Sequence, residues 1–244
     1  ALISSTRVGT DDYDQAYFLD IDPVGDIYVY GQTKGNLTVS AGVYSEPNGK
    51  QFVQKFSNDL TTPMFTTVFG SGDTVPDISP TAFMVSDCND IYLSGWGSDH
   101  ISVYPQQGNT LGLTTTSTAF RATTDGSDFY LMVLHTNAQA LKYATFFGST
   151  NALNIDHVDG GTSRFQKNGT IYQAVCAACD APEFMTTPGA AFETVSSVGC
   201  RMAAVKFAFP DVISSFVPDT SEACIGTAIV FTNYSENAQS YIWD

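Results

Sequence analysis

Charge is scarce in this chain, and positive charge is scarcest. Of 244 residues only 14% are charged, with 10 basic side chains against 25 acidic ones and a net charge of −15. So acidic a surface repels a nucleic-acid backbone or an anionic membrane, and both are excluded as partners. No run of about 18 apolar residues occurs, so no inserted helix is expected. Ala1 is not an initiator Met, and no basic start with an apolar stretch follows it. The chain therefore reads as a mature or excised piece. Leu2-Ile3-Ser4-Ser5-Thr6 already has the pattern of a strand, so the fold is expected to begin upstream. Helix formers at helical spacing are missing too, which excludes a helical class.

The residues of common catalytic sites are equally sparse. There are three histidines (His100, His135, His157) and five glutamates, the latter scattered in loops. No Gly-x-Ser-x-Gly elbow, His-Glu-x-x-His pair or phosphate-cradling Gly loop is present. No Glu or Asp pair is placed for glycoside hydrolysis. An enzyme would have to draw on His157, Arg164 and Asp156. Trp96, in Ser94-Gly95-Trp96-Gly97, is expected to cover core rather than stack on a sugar.

What is present is β-forming residues: 43% hydrophobic, 13% aromatic, with Ser, Thr, Gly, Asn and Asp filling the polar positions. They recur in order. Gly25-Asp-Ile-Tyr-Val-Tyr-Gly31 returns as Asn89-Asp-Ile-Tyr-Leu-Ser-Gly95 and as Asn168-Gly-Thr-Ile-Tyr-Gln-Ala-Val175. Before each lies a strand ending in Gly: Thr6 to Gly9, Thr67 to Gly70, Thr145 to Gly148. After each comes an alternating strand: Gln51 to Phe56, Phe129 to Leu134, Met202 to Phe207. Three landmarks in one order, three times, imply four-stranded units of a β-propeller, about three blades of it. A β-sandwich would not repeat that order. A propeller needs about four to eight blades, so the others are expected upstream of Ala1, with another chain as the alternative source. After Pro210 the pattern changes. Val212 to Val217, Ala228 to Asn233 and Tyr241 to Asp244 read as the first strands of an Ig-like sandwich. The expected domains are 1–210 and 211–244.

Aspartates crowd the turns. Asp there commonly bonds its own backbone. Asp11, Asp12, Asp14, Asp20 and Asp22 are also candidates to converge on Ca²⁺, although their spacing is not that of an EF-hand loop. Five cysteines are present. Cys176-Ala-Ala-Cys179 lacks the second pair of a zinc site and follows a strand rather than opening a redox helix. A disulfide of a secreted protein fits better. Cys179 to Cys200 is preferred on loop position, with Cys176 as the alternative partner; such a loop is worth about 3 kcal/mol. Cys88 is expected to be a buried thiol, and Cys224 to pair beyond Asp244.

These units resemble the SBBP (β-propeller-like) repeats of secreted Bacteroidota proteins. The resemblance rests on Phe147-Gly148-Ser149, on Asp87 to Gly95, on Thr186-Thr187-Pro188-Gly189-Ala190 and on Cys200 to Phe207. Tyr241-Ile242-Trp243-Asp244 resembles the hallmark of a PKD domain. The resemblance implies a non-enzymatic cell-surface protein, an adhesin or scaffold of the kind associated with gliding motility. It implies export by the type IX secretion system, with that translocon and surface glycans or proteins as partners. A propeller-based glycan-binding module or polysaccharide-degrading enzyme is the alternative reading.

Overall fold

The structure is a computed structural model. It describes residues 1–98, 108–150, 156–158, 163–167, 169–177, 184–193, 201–208, 216–220, 222, 225–226 and 228–234. It is an all-β protein. The first sheet holds β1 (Asp14–Ile21), β2 (Ile27–Thr33), β3 (Gln51–Phe56) and β4 (Pro63–Phe69), each paired with the next. The second holds β5 (Ser79–Val85), β6 (Ile91–Trp96), β7 (Phe129–Leu134) and β8 (Leu141–Phe147) in the same meander. In the third, β10 (Thr170–Ala177) lies between β9 (Ser163–Phe165) and β11 (Arg201–Ala208). By packing the chain divides into Ala1–Lys206 and Phe207–Asp244. Within the second unit β12 (Phe216–Pro218) pairs with β13 (Phe231–Asn233), and their Phe216 and Phe231 rings meet edge-on at 5.6 Å. The remaining expected strand residues of that unit, Val212 to Ser215 and Tyr241 to Asp244, lie outside the described residues.

The repeat is in the structure, but its phase differs from the sequence reading. The strand ending in Gly does not open a unit. It closes the preceding sheet: β4 pairs with β3 from Gln51↔Phe69 to Lys55↔Phe65, and β8 pairs likewise with β7. The strand that opens each sheet is β1, β5 or β9. The strand expected at Leu2 to Thr6 is absent, since residues 1–13 carry none. A fourth strand forms only against a third, and among the described residues no such neighbour lies beside it.

Three hairpins share one geometry. The N–H of Asp22 donates to the Asp26 carbonyl (3.1 Å), that of Ser86 to Asp90 (2.9 Å) and that of Gln166 to Thr170 (2.8 Å). The residue before the end of each loop has positive φ: Gly25 at 92°, Asn89 at 62°, Gly169 at 83°. A type I turn closed by a left-handed residue requires this, and Gly and Asn take it most readily. Asn89→Ala is therefore expected to lower stability by about 1 kcal/mol, while Asn89→Gly does not; urea unfolding of the two variants checks this. The Gly that ends each Ile-Tyr run has another cause. A Cβ on Gly31 would lie 2.2 Å from the Gln15 carbonyl oxygen, and one on Gly95 would lie 2.8 Å from that of Ser79. Both glycines face the bulges, at Ala16/Phe18 and Pro80/Ala82, where the first strand kinks towards them.

A second recurring device explains the conserved order of Gly, hydroxyl and Asp within this chain. The Asp14 carboxylate accepts from the backbone N–H and hydroxyl of Thr10. Asp77 accepts from the N–H (3.0 Å) and hydroxyl of Ser71. Asp156 accepts from the N–H and hydroxyl (2.9 Å) of Ser149. The second and third clasps tie the serine after the Gly that follows β4 and β8 to the chain just before the next strand or bridge, and the first ties Thr10 to Asp14 at the start of β1.

The sheets pack through a forward and a rear face. Alternation puts Tyr28, Tyr30, Val53, Phe65 and Phe69 on the forward face of the first sheet. They meet Val85, Ile91, Leu93, Met132, Leu134 and Phe146 from the rear face of the second in one core. Tyr30 is at its centre, with ring centroids 6.3 Å from Phe18, 6.2 Å from Phe69 and 5.5 Å from Phe83. Across the same interface Gln51 Nε2 donates to the Ile78 carbonyl (3.0 Å), and the Tyr44 N–H to that of Ala138 (2.7 Å).

Candidate functional site

The first strands of the three sheets lie together: β1 packs on β5, and β5 on β9. Where they meet is a cavity of about 280 Å³ lined by Phe18, Thr81, Ala82, Phe83, Ser163, Arg164 and Phe165. The bulges of β1 and β5 fall beside it, at the positions of Phe18 and Ala82. Ser163 Oγ donates to the Thr81 carbonyl (3.2 Å) and holds β9 against β5. Arg164, exposed on β9, is the lining's one ionisable group. Three aromatic rings, one guanidinium and two hydroxyl residues form a wall that suits a ligand with an apolar face and an anionic or hydroxylated edge. It holds no carboxylate and no imidazole.

Of the three residues weighed for catalysis, the structure brings only Arg164 to this cavity. Asp156 is fully buried and bound to Ser149. His157 is buried; its backbone bridges Cys176, and its ring lies 5.4 Å from that of Trp96. Trp96 itself is buried and covers core. His135 follows β7 and lies 3.7 Å from Asp90. His100 lies outside the described residues.

The five aspartates considered for Ca²⁺ do not converge. Asp11 is exposed, and Asp12 accepts from the N–H of Tyr13 (2.7 Å). Asp14 is the clasp of Thr10. Asp20 accepts from the Val85 N–H (2.7 Å) and the Lys167 ammonium (3.1 Å), joining all three sheets near the cavity. Asp22 pairs with Lys55. Among the described residues no group of three or more His, Cys, Asp or Glu is arranged to hold a metal. Cys179, Cys200 and Cys224 lie outside the described residues, and with them the preferred disulfide and the alternative from Cys176 to Cys200. Cys88 corrects the reading made from sequence: it is an exposed free thiol. It sits in the middle of the β5–β6 hairpin loop, which faces solvent.

The strongest electrostatics serve the fold. Lys55 Nζ lies 2.9 Å from Asp22 and 3.1 Å from Asp26, and 5.0 Å from the centre of the Tyr28 ring. Burial would raise the Asp22 carboxyl; the Lys55 ammonium and the N–H groups of Asp26 and Val24 outweigh it and hold it below the ordinary carboxylate value. Burial would lower Lys55, but its bonds to Asp22, Tyr28 and Asp26 hold it above the ordinary lysine value. In the second sheet the residue opposite the equivalent Tyr92 is Val133, and Lys142 reaches Asp90 from β8 instead (2.7 Å). In the third, Lys206 lies 5.5 Å over the Tyr172 ring.

Asp77 has the opposite sign. Burial, with Asp73 and Glu46 nearby, pushes its carboxyl from 3.8 up to about 6, against the bonds from Ser71. A folded-state value above the unfolded one means the native state takes the proton first. Stability at this group rises as pH falls from 7 through 6 towards 4, by on the order of 2–3 kcal/mol. The Asp22 contribution is complete above 3.8 and is lost only as pH falls through its lower folded value. Stability is therefore expected to peak between about pH 4 and 6, and Asp77→Asn to flatten the rise; thermal unfolding across pH checks both.

No family model matches the chain, and no curated protein matches it either.

Proposed function

We propose that the three sheets are consecutive blades of a β-propeller, that a PKD-like domain begins after them, and that together they belong to a secreted cell-surface protein. Its role is non-enzymatic: a rigid adhesive or scaffolding module of the kind exported by the type IX system and associated with gliding motility. The observation that carries this reading is the side-by-side packing of β1, β5 and β9, each the first strand of its sheet. In a propeller the first strands surround a central axis. The acids and the histidine that an active site there would use are instead bound into the clasps and the core. Residue chemistry thus supports display and binding, and the resemblance to SBBP and PKD proteins supports the surface location.

The test pairs retention with turnover. Immobilised chain is offered bacterial surface polysaccharides and host-surface proteins, and the eluate is assayed for new reducing ends. The expected result is retention of a ligand without new ends; product release overturns the non-enzymatic reading.

Arg164 among Phe18, Phe83 and Phe165 favours a second reading, glycan binding in the axial cavity. Here Arg164→Ala is expected to weaken an acidic oligosaccharide by about 10-fold or more, since a charge-assisted bond is worth roughly 1.5–3 kcal/mol. Calorimetric titration with uronate oligosaccharides measures it, and unchanged affinity removes the cavity from consideration.

A further inference from the structure

The two interfaces between consecutive sheets can be compared position by position, and the second lacks what fills the first. The pairs Leu19↔Val29, Phe83↔Leu93 and Ser163↔Gln173 are equivalent. So are Phe18↔Tyr30 and Ala82↔Ser94, each just past a bulge. Between the first and second sheets three of these positions carry rings: Phe18 and Tyr30 stack at 6.3 Å, and Tyr30 meets Phe83 at 5.5 Å. Between the second and third sheets the same positions carry Ala82, Ser94 and Ser163. A methyl and two hydroxymethyl groups replace three aromatic rings, and the cavity of about 280 Å³ opens against Ala82 and Ser163. Packed interiors hold few voids larger than a water molecule. This one lies just below the range of about 300–1,000 Å³ for small-molecule sites, which suits one substituted ring.

The wall is polar where the rings are missing. Ser94 Oγ and Thr81 Oγ1 share a hydrogen bond of 2.7 Å, and Ser163 Oγ donates to the Thr81 carbonyl (3.2 Å). Gln173 pairs with Ser163 and so shares its face of the sheet. It is 6% exposed, and among the described residues its Nε2 has no acceptor. One end of the cavity is tied shut. Two residues beyond Phe83 and Phe165, Lys167 Nζ donates to the Val85 carbonyl (2.5 Å). Lys167 also pairs with Asp20 (3.1 Å), two residues beyond Phe18, and Asp20 accepts from the Val85 N–H (2.7 Å). This tie crosses the first strands of all three sheets.

We infer that the cavity takes the end of an acidic glycan and not a stretch within its chain, a step that rests on the glycan reading of the cavity. One uronate ring would lie against Ala82 in place of the missing rings. Its carboxylate would meet Arg164, and its hydroxyls Ser163 and Gln173. The tie of Asp20, Val85 and Lys167 blocks the way through, so a polymer enters only by a terminal unit.

The test is calorimetric titration of the whole chain with uronate oligosaccharides of increasing length and with the long polymer. The expected result is one protein bound per glycan chain at every length, with the same Kd per chain. Ala82→Phe, which restores the ring that Phe18 supplies in the first sheet, is expected to abolish binding. Arg164→Ala, at an exposed position, is expected to weaken it by about 10-fold, and it decides the placement if Ala82→Phe fails to unfold cooperatively. Stoichiometry that rises with length while Arg164→Ala still weakens binding overturns end recognition and leaves the glycan reading standing. Absence of binding at every length overturns both. Binding at one protein per chain that neither variant weakens puts the ligand outside the cavity and overturns the inference.

Discussion

Replacing Lys55 with Met is expected to cost the protein about 3–5 kcal/mol, which for a domain of this size is a large share of its stability. The ammonium is the counter-charge of Asp22, whose side chain is 1% exposed, and it also reaches Asp26. Met keeps the length of the stem and its packing on Tyr28, so the loss isolates the charge. Asp22 cannot turn to water, because its other oxygen accepts from the N–H groups of Val24 (3.1 Å) and Asp26 (2.9 Å) and shapes the hairpin. Adding Asp22→Asn keeps those acceptor bonds and removes the stranded charge, so the double variant is expected to be more stable than Lys55→Met alone. Urea midpoints of the two variants decide it. If Lys55→Met alone is neutral, the pair is not the determinant of this sheet's end.

Tyr30→Ala is the second large effect, again about 3–5 kcal/mol. Tyr30 is fully buried where the first sheet meets the second, among Phe18, Phe69 and Phe83. Truncation leaves a cavity walled by residues of both sheets, which cannot collapse without moving one sheet relative to the other. Tyr30→Phe separates the ring from the hydroxyl. The hydroxyl donates to the Ser94 carbonyl at a long 3.4 Å, so its removal is expected to cost at most about 1 kcal/mol. Thermal unfolding of both variants gives the split; equal losses would mean that the bond, not the ring, joins the sheets.

The sequence made the all-β class and the threefold repeat legible because both are local. Ile-Tyr runs alternate with period two, and Gly25, Asn89 and Gly169 mark turns that demand positive φ. The phase of the unit was not legible. The strand ending at Gly70 is joined by chain to β3 on one side and to β5 on the other, and only pairing decides which sheet owns it. The clasps were legible in part: Gly70-Ser71 with Asp77 and Gly148-Ser149 with Asp156 are a spaced pattern, but an Asp in a loop equally bonds its own backbone, and the sequence alone does not separate the two. The cavity was the least legible. Phe18, Phe83 and Arg164 come from three sheets far apart in sequence, and none carries a local signature. Cys88 misled for a related reason: its apolar character suggests burial, while its place inside a hairpin loop exposes it.

An experimentally phased crystal structure of the chain tests the central claim most directly. The account predicts β1, β5 and β9 side by side around one axis, Arg164 directed into the space between them and Asp77 and Asp156 bound to their serines. Sheets stacked face to face as a sandwich, with β1, β5 and β9 on separate edges, would contradict it.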